Sequence, residues 1–221
     1  MQRSQIEAQL LEGCRRLAAK GFFNTPADSF SLRVPGSMEM IMVSGHEDWR
    51  QITIDDLHTV SFFVNQGPSG LHASIYEARA DVGAVAISSP QGVRLLAHHG
   101  GQLPPIFDEL VRHVGLPAGL KENEENVPLE MVKKTFRHGA NAAPFGEQLL
   151  CLGMTCDRVI FNTELYEKCA RAYVIARASG NRIGFIPKWV QWIANRRLLK
   201  DERRAAASYS DGRAPEGLTA Y

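Results

Sequence analysis

The chain lacks most of the motifs that announce chemistry. It has no G-x-S-x-G elbow, no Walker loop and no dinucleotide fingerprint, so neither that hydrolase chemistry nor those phosphate-cradling folds are indicated. Its histidines form no H-x-H or H-x-x-x-H pair, the spacings that place two imidazoles on one metal. The four cysteines, Cys14, Cys151, Cys156 and Cys169, show no C-x-x-C spacing and read as reduced thiols of a cytoplasmic protein. No apolar run approaches the ~20 residues that cross a bilayer, and no short apolar leader opens the chain. Charge of one sign is missing as well. Lys+Arg 25 against Asp+Glu 24 leaves +1, so composition points to no nucleic acid and no membrane as partner, while a small anionic ligand stays open. No internal repeat is visible.

What the chain does have is length for one buried core: 221 residues read as a domain over 1–206 and a C-terminal tail over 207–221, flexible or ordered by a neighbouring subunit. Its organising stretch is GPSGLHASIYEARADVGAVAISSP, Gly67 to Pro90. A Gly/Pro/Ser turn leads into a helical pattern at Leu71, Ile75 and Ala78. After a polar break at Arg79 to Asp81, the small-apolar run Val82 to Ile87 suits a strand buried on both faces. Ser89 and Pro90 then suit the cap and first position of another helix.

Around that unit the elements fall in order. Ile6, Leu10, Cys14 and Leu17 recur at helical spacing after a Ser4 to Glu7 capping box, and Gly21 stops the helix. Ser29 to Arg33 and Met38 to Val43 read as a hairpin across Pro35-Gly36, followed by a strand over Thr59 to Val64. Beyond His98-His99-Gly100-Gly101, short strands are expected at Leu103 to Phe107, Gln148 to Leu152 and Arg158 to Phe161. Loops are expected over Gly115 to Asn126 and His138 to Pro144, and a helix between them from Pro128 to about Arg137. Thr163 is the expected cap of a helix ending at Gly180, and Pro187 opens a last helix carrying Trp189, Trp192 and a basic run.

In this order the motifs resemble the class II aldolase/adducin family, over about Leu10 to Ala178. FFNTPADSFSLR, Phe22 to Arg33, is similar to its G-T-x-G-N-x-S-x-R segment, and Met42 to Gly45 to its T-P-S-G turn. Pro68-Ser69 is similar to the start of P-S-S-E, and HASIYEARADVGAVAISSP to H-x-x-I-Y-x-x-R-P-D-V-x-A-V-x-H-T-H-P. The resemblance implies an α/β/α layered fold with a mainly antiparallel sheet, and a homo-oligomer, commonly a tetramer.

In metal-dependent members of the family, a divalent ion held by the H-T-H histidines, a third histidine and commonly the glutamate of P-S-S-E stabilises an enediolate. Here the H-T-H positions are Ile87, Ser88 and Ser89, the glutamate is missing, and no histidine falls near Leu152 to Met154. Ile87 and Ser89 read as vestigial metal positions, and neither a metal nor another cofactor is expected. The anion-binding half carries over onto Asn24, Thr25, Ser29, Ser44, Gly45, Ser69 and Gly70, whose turn amides and hydroxyls suit an oxyanion. Asp28 stands where the family has glycine and would repel a phosphate.

Three functional readings stay open. The first is a member that has lost metal-dependent aldol cleavage, as in the adducin head domains, and acts by binding or assembly. The second is a divergent lyase or isomerase on a small phosphorylated sugar or carboxylate, with His46, His72 or Tyr209 as acid or base. The third is a metal enzyme with relocated ligands, His98 and His99 among the histidines available.

Overall fold

The small-apolar run becomes β4 (Ala84–Ser88), in which every residue is buried. In the computed structural model, which describes residues 2–64, 66–116, 128–180 and 182–217, this strand sits inside one six-stranded sheet. The strands β1 (Ser29–Arg33), β2 (Glu39–Ser44), β3 (His58–Ser61), β5 (Ala142–Phe145) and β6 (Gln148–Gly153) complete it in the order β3-β2-β1-β4-β6-β5, with every pairing antiparallel. Small side chains at Ala84 and Ala86 let helices approach one face closely, while Val85 and Ile87 fill the other.

Helices cover both faces, so the layered α/β fold expected from the sequence is the fold found. On the Phe30, Ile41 and Cys151 side lie α1 (Arg3–Ala19), α3 (Gln91–Ala97), α4 (Asp108–His113) and α6 (Cys156–Ala178). On the Met42, Ile87 and Leu150 side lie α2 (Gly67–Ala78) and α5 (Leu129–Thr135). α7 (Lys188–Ser210) packs Leu198 and Ala205 on Met154 at the end of the sheet where β4 begins. Among the described residues, no helix is long and apolar enough to cross a membrane.

Five local expectations are corrected. Arg158 to Phe161 is helix, not strand: the Thr155 hydroxyl accepts the Arg158 N–H and starts α6 there, overriding the β-propensity of Val159 and Ile160. Thr163, the expected cap, lies inside that helix and bonds back to the Val159 carbonyl. Leu103 to Phe107 pairs with no strand among the described residues, whereas Ala142–Phe145, expected as loop, is the edge strand beside β6. The last helix continues through residues 207–210, because the Tyr209 hydroxyl donates to the Met154 carbonyl at 2.9 Å and seats its ring against Gly83, where a Cβ would overlap it. The long loop over 115–126 falls, from residue 117 on, outside the described residues.

α7 is held to the body by a buried guanidinium. Arg79, after the end of α2, donates to both oxygens of Asp81 (2.8 and 2.7 Å), to the Phe136 and Ala140 carbonyls, to Asn141 and to Glu202 (3.0 Å). The side chains of Arg79, Asp81 and Glu202 are only 12%, 10% and 8% exposed, and Asn141 bonds Glu202 in turn. Removing the cation strands two carboxylates in a place that water reaches poorly, which typically destabilises by about 3–5 kcal/mol. Arg79→Met is therefore expected to lower the unfolding free energy by about that amount in chemical denaturation. A loss below about 1 kcal/mol would show that the network is not a main tie.

Candidate functional site

The family-like motifs meet where β4 ends and β1 begins. Register places Ser29 opposite both Ile87 and Ser44, and Ser89 follows directly after β4. Asn24 and Thr25 stand on the loop before β1, and Ser69 and Gly70 lie in the first turn of α2, above the same end. The chain thus brings its expected anion-binding residues to one end of the sheet, although they are spread over the first 90 positions of the sequence.

That end is occupied by the protein's own carboxylate. Asp28 is fully buried, and its Oδ2 accepts the backbone N–H groups of Asn24 and Thr25, each at 2.7 Å. Its Oδ1 accepts the Ser89 hydroxyl at 2.7 Å and lies 3.4 Å from the Gln148 side-chain nitrogen. Asn24 closes the ring from the other side, its amide donating to the Ser89 carbonyl at 3.2 Å and to the Gly21 carbonyl at 2.7 Å. Trp49 roofs the loop, donating its indole N–H to the Thr25 carbonyl at 3.0 Å while its ring lies 4.5 Å from that of Phe23. An aspartate three residues after a turn folds back onto the turn's amides because a short carboxylate reaches them without strain. The loop amides are thereby committed to a carboxylate of their own chain.

The two residues expected from the family resemblance to be vestigial metal positions, Ile87 and Ser89, do not suit a cation. Ile87 points into the apolar cluster shared with α2, opposite Leu150, and offers no donor. The Ser89 hydroxyl is committed to Asp28, and Gln148 reaches the same oxygens from β6. Among the described residues, no three His, Cys, Asp or Glu side chains come together with metal-binding geometry. A neutral hydroxyl, an amide and a sec-butyl group are poor ligands for a borderline-soft ion.

The residues expected as acids or bases are not brought to this end as a group. His72, on the sheet-facing side of α2, is fully buried, its Nε2 2.9 Å from the Ser29 hydroxyl and its Nδ1 2.7 Å from that of Ser31. The set closes if Ser29 donates to Nε2, Nδ1–H to the Ser31 oxygen, Ser31 to Tyr76, and Tyr76 to the Ser31 carbonyl. Burial lowers the imidazole from 6.5 to about 3, so it stays neutral and braces α2 on the sheet. His46 lies near Ser44 and Gly45, but its own turn holds both nitrogens: Nδ1 accepts the Asp48 N–H at 3.2 Å and Nε2 faces Asp56 at 3.5 Å. Tyr209 stands at the opposite end of the sheet, beside the start of β4, where burial raises its phenol well above the ordinary value. His98 is on the surface, 3.7 Å from Glu147, and His99 is exposed.

A second carboxylate repeats the pattern. Glu167 of α6 is buried and accepts the Gly92 N–H at 2.9 Å and the Val93 N–H at 3.2 Å, capping the start of α3 directly after Ser89 and Pro90. Gln148 and Glu167 were not candidates from sequence. No local signal marks either, because only the pairing of β6 with β4 and the crossing of α6 over α3 bring them here. Ser44 and Gly45 remain exposed and Ser69 half-buried, with no internal carboxylate bonded to them among the described residues.

A sequence model of the Class II Aldolase and Adducin N-terminal domain matches residues 8–174. No curated protein shows significant sequence similarity to the chain. Among solved structures, L-fuculose 1-phosphate aldolase from Glaciozyma antarctica PI12 superposes with a TM-score of 0.74 at 18% identity, over 95% of this chain and 90% of that one. An aldolase II superfamily protein from Pseudomonas syringae gives 0.67 at 21% identity, over 92% and 84% of the two chains. L-fuculose-1-phosphate aldolase from Thermus Thermophilus gives 0.65 at 19%, over 81% and 99%. At these identities the structural likeness establishes the fold.

The buried neutral His72 carries a pH consequence. Its native value near 3 lies below the unfolded value of 6.5, so the unfolded chain takes up a proton first and stability falls with pH below about 6.5. From pH 6.5 to 5 this one group accounts for a loss of about 1.6 kcal/mol. His113, lowered to about 4 by burial and by Arg158, acts in the same direction. Denaturation curves across that window should show His72→Gln with a shallower pH dependence than the unaltered protein. Parallel profiles would contradict the neutral assignment.

Proposed function

Since the chain belongs to the class II aldolase and adducin family, we propose that it is a member without metal-dependent aldol cleavage, acting by binding or assembly. The observation that carries this reading is the placement of Asp28. One buried carboxylate engages the loop amides that suit a substrate phosphate and also bonds the hydroxyl at a former zinc-ligand position. An incoming phosphate would have to displace it from three donors and would meet its charge at hydrogen-bond distance, which opposes binding by electrostatics alone. The metal-dependent route to aldol cleavage also needs a cation beside the developing enediolate oxygen, and Ile87 and Ser89 supply no good ligand for one. What remains at this end for a small anionic ligand is the open rim at Ser44, Gly45 and Ser69. The assembly that goes with this reading is a homotetramer, checked by light scattering.

The test is metal content and turnover together. Protein offered zinc, manganese and cobalt, then desalted, is expected to retain far less than one ion per chain and to cleave no L-fuculose 1-phosphate, the substrate named for several of the structural neighbours. One tightly held ion per chain with cleavage above the blank would overturn the proposal. The filled cradle is tested separately with inorganic phosphate. Asp28→Gly, which frees the Asn24 and Thr25 amides, is expected to gain a phosphate-dependent rise in melting temperature that the unaltered protein lacks, at the expense of a basal loss of about 1.5–3 kcal/mol. Equal phosphate responses in both proteins would remove Asp28 as the plug.

A further inference from the structure

α7 turns a coherent face to solvent. At 100° per residue its inner side carries Leu198, Glu202, Ala205 and Tyr209, and the opposite side collects the residues left over. At the N-terminal end of that outer side, Trp189, Trp192 and Ile193 are 67%, 60% and 41% exposed, and Phe185 just before the helix is 61% exposed. Further along come Arg196, Arg197, Lys200, Arg203 and Arg204, all exposed. The only acids in the helix, Asp201 and Glu202, are turned inward onto Arg112 and Arg79. Among the described residues none of the five outer cations has an ion pair, and Arg196 merely stacks on Trp192 at 4.7 Å. The formal charge of +1 conceals this one-sided array.

From this juxtaposition of unpaired cations and exposed tryptophans we infer that the outer face of α7 docks on an anionic phospholipid surface. The cations match the sign of such a surface, and no acid on the face opposes it. Tryptophans sit well at headgroup depth, where the ring is half wet and the indole N–H finds a partner. The shape favours a lipid surface over a folded partner. The face is one convex helix, and Arg197, Lys200, Arg203 and Arg204 project on long stems that no side-chain hydrogen bond fixes among the described residues, so the donors are not preorganised for a rigid epitope. Fluid headgroups adjust to them instead. Base stacking is served less well, because Arg196 already covers one ring. The inference is independent of whether the family's catalysis survives.

The experiment is co-sedimentation of the full chain with phosphatidylcholine vesicles, with and without phosphatidylglycerol, across a salt series. Binding to the mixed vesicles only, reversed by salt, is expected, together with a blue shift of tryptophan emission. The third tryptophan, Trp49, is 2% exposed and provides a constant background. Each cation near such a surface is worth about fivefold, so Arg203→Ala/Arg204→Ala should lower the partition coefficient about thirtyfold. Trp189→Ala/Trp192→Ala should remove the blue shift. All four positions are exposed, so circular dichroism should show folded variants. Equal binding to both vesicle types, or a partition unaffected by the arginine changes, overturns the inference. Displacement from vesicles by poly-uridylate with tryptophan quenching assigns the face to nucleic acid and also overturns it. So does a change of molecular mass in the variants without lipid, which assigns it to contacts between copies.

Discussion

One guanidinium holds the lower end of this molecule together. Arg79 stands where α2 stops and β4 is about to begin, and every direction its fork can donate ends on a buried acceptor. Through them it joins four pieces of chain separated by up to 123 positions: Asp81 before β4, the carbonyls around Phe136 and Ala140, Asn141 at the entry to β5, and Glu202 in α7. A planar cation with five donors can do this where an ammonium cannot, and low local dielectric makes each bond depend on the others. With Glu202 pulled inward, α7 is fixed in rotation, and its remaining side chains have only one way to face.

At the upper end the organising charge is negative. Asp28 and Glu167 each sit on backbone N–H groups at the start of a turn or helix, sites that attract anions because their donors lack intrahelical partners. A protein that leaves such donors open offers them to a ligand, and one that fills them from within gains rigidity and gives up that offer. Here both are filled, and the hydroxyl of Ser89 and the amide of Gln148 tie the carboxylate of Asp28 across from the loop to the sheet. The same carboxylate braces the loop against the sheet.

Much of the fold was legible because its signals are local. The 3.6-residue recurrence of Ile6, Leu10, Cys14 and Leu17, the turn at Pro35-Gly36 and the doubly buried run at β4 each declare themselves within a dozen residues. The errors also have local causes. Val159 and Ile160 favour a strand by side-chain shape, and only the cap at Thr155 and packing onto the sheet make them helical. Pro144 disguised an edge strand, the one kind of strand that tolerates it.

The candidate site divides along the same line. The sequence by itself determined that Ile87 and Ser89 bring no imidazole in any conformation, and that Asp28 puts a carboxylate into the loop before β1. It also determined that the last helix is basic and aromatic. Only the tertiary structure decided that the Asp28 carboxylate is bound by the amides of its own loop, because that depends on the loop closing to 2.7 Å around it. The structure likewise decided that His72 is a neutral brace, that Tyr209 belongs to the far end of the sheet, and that the acids of α7 turn in while its cations turn out. Residue identity limits what chemistry is available, but burial and partner geometry set charge state and direction, and those arise between segments distant in sequence.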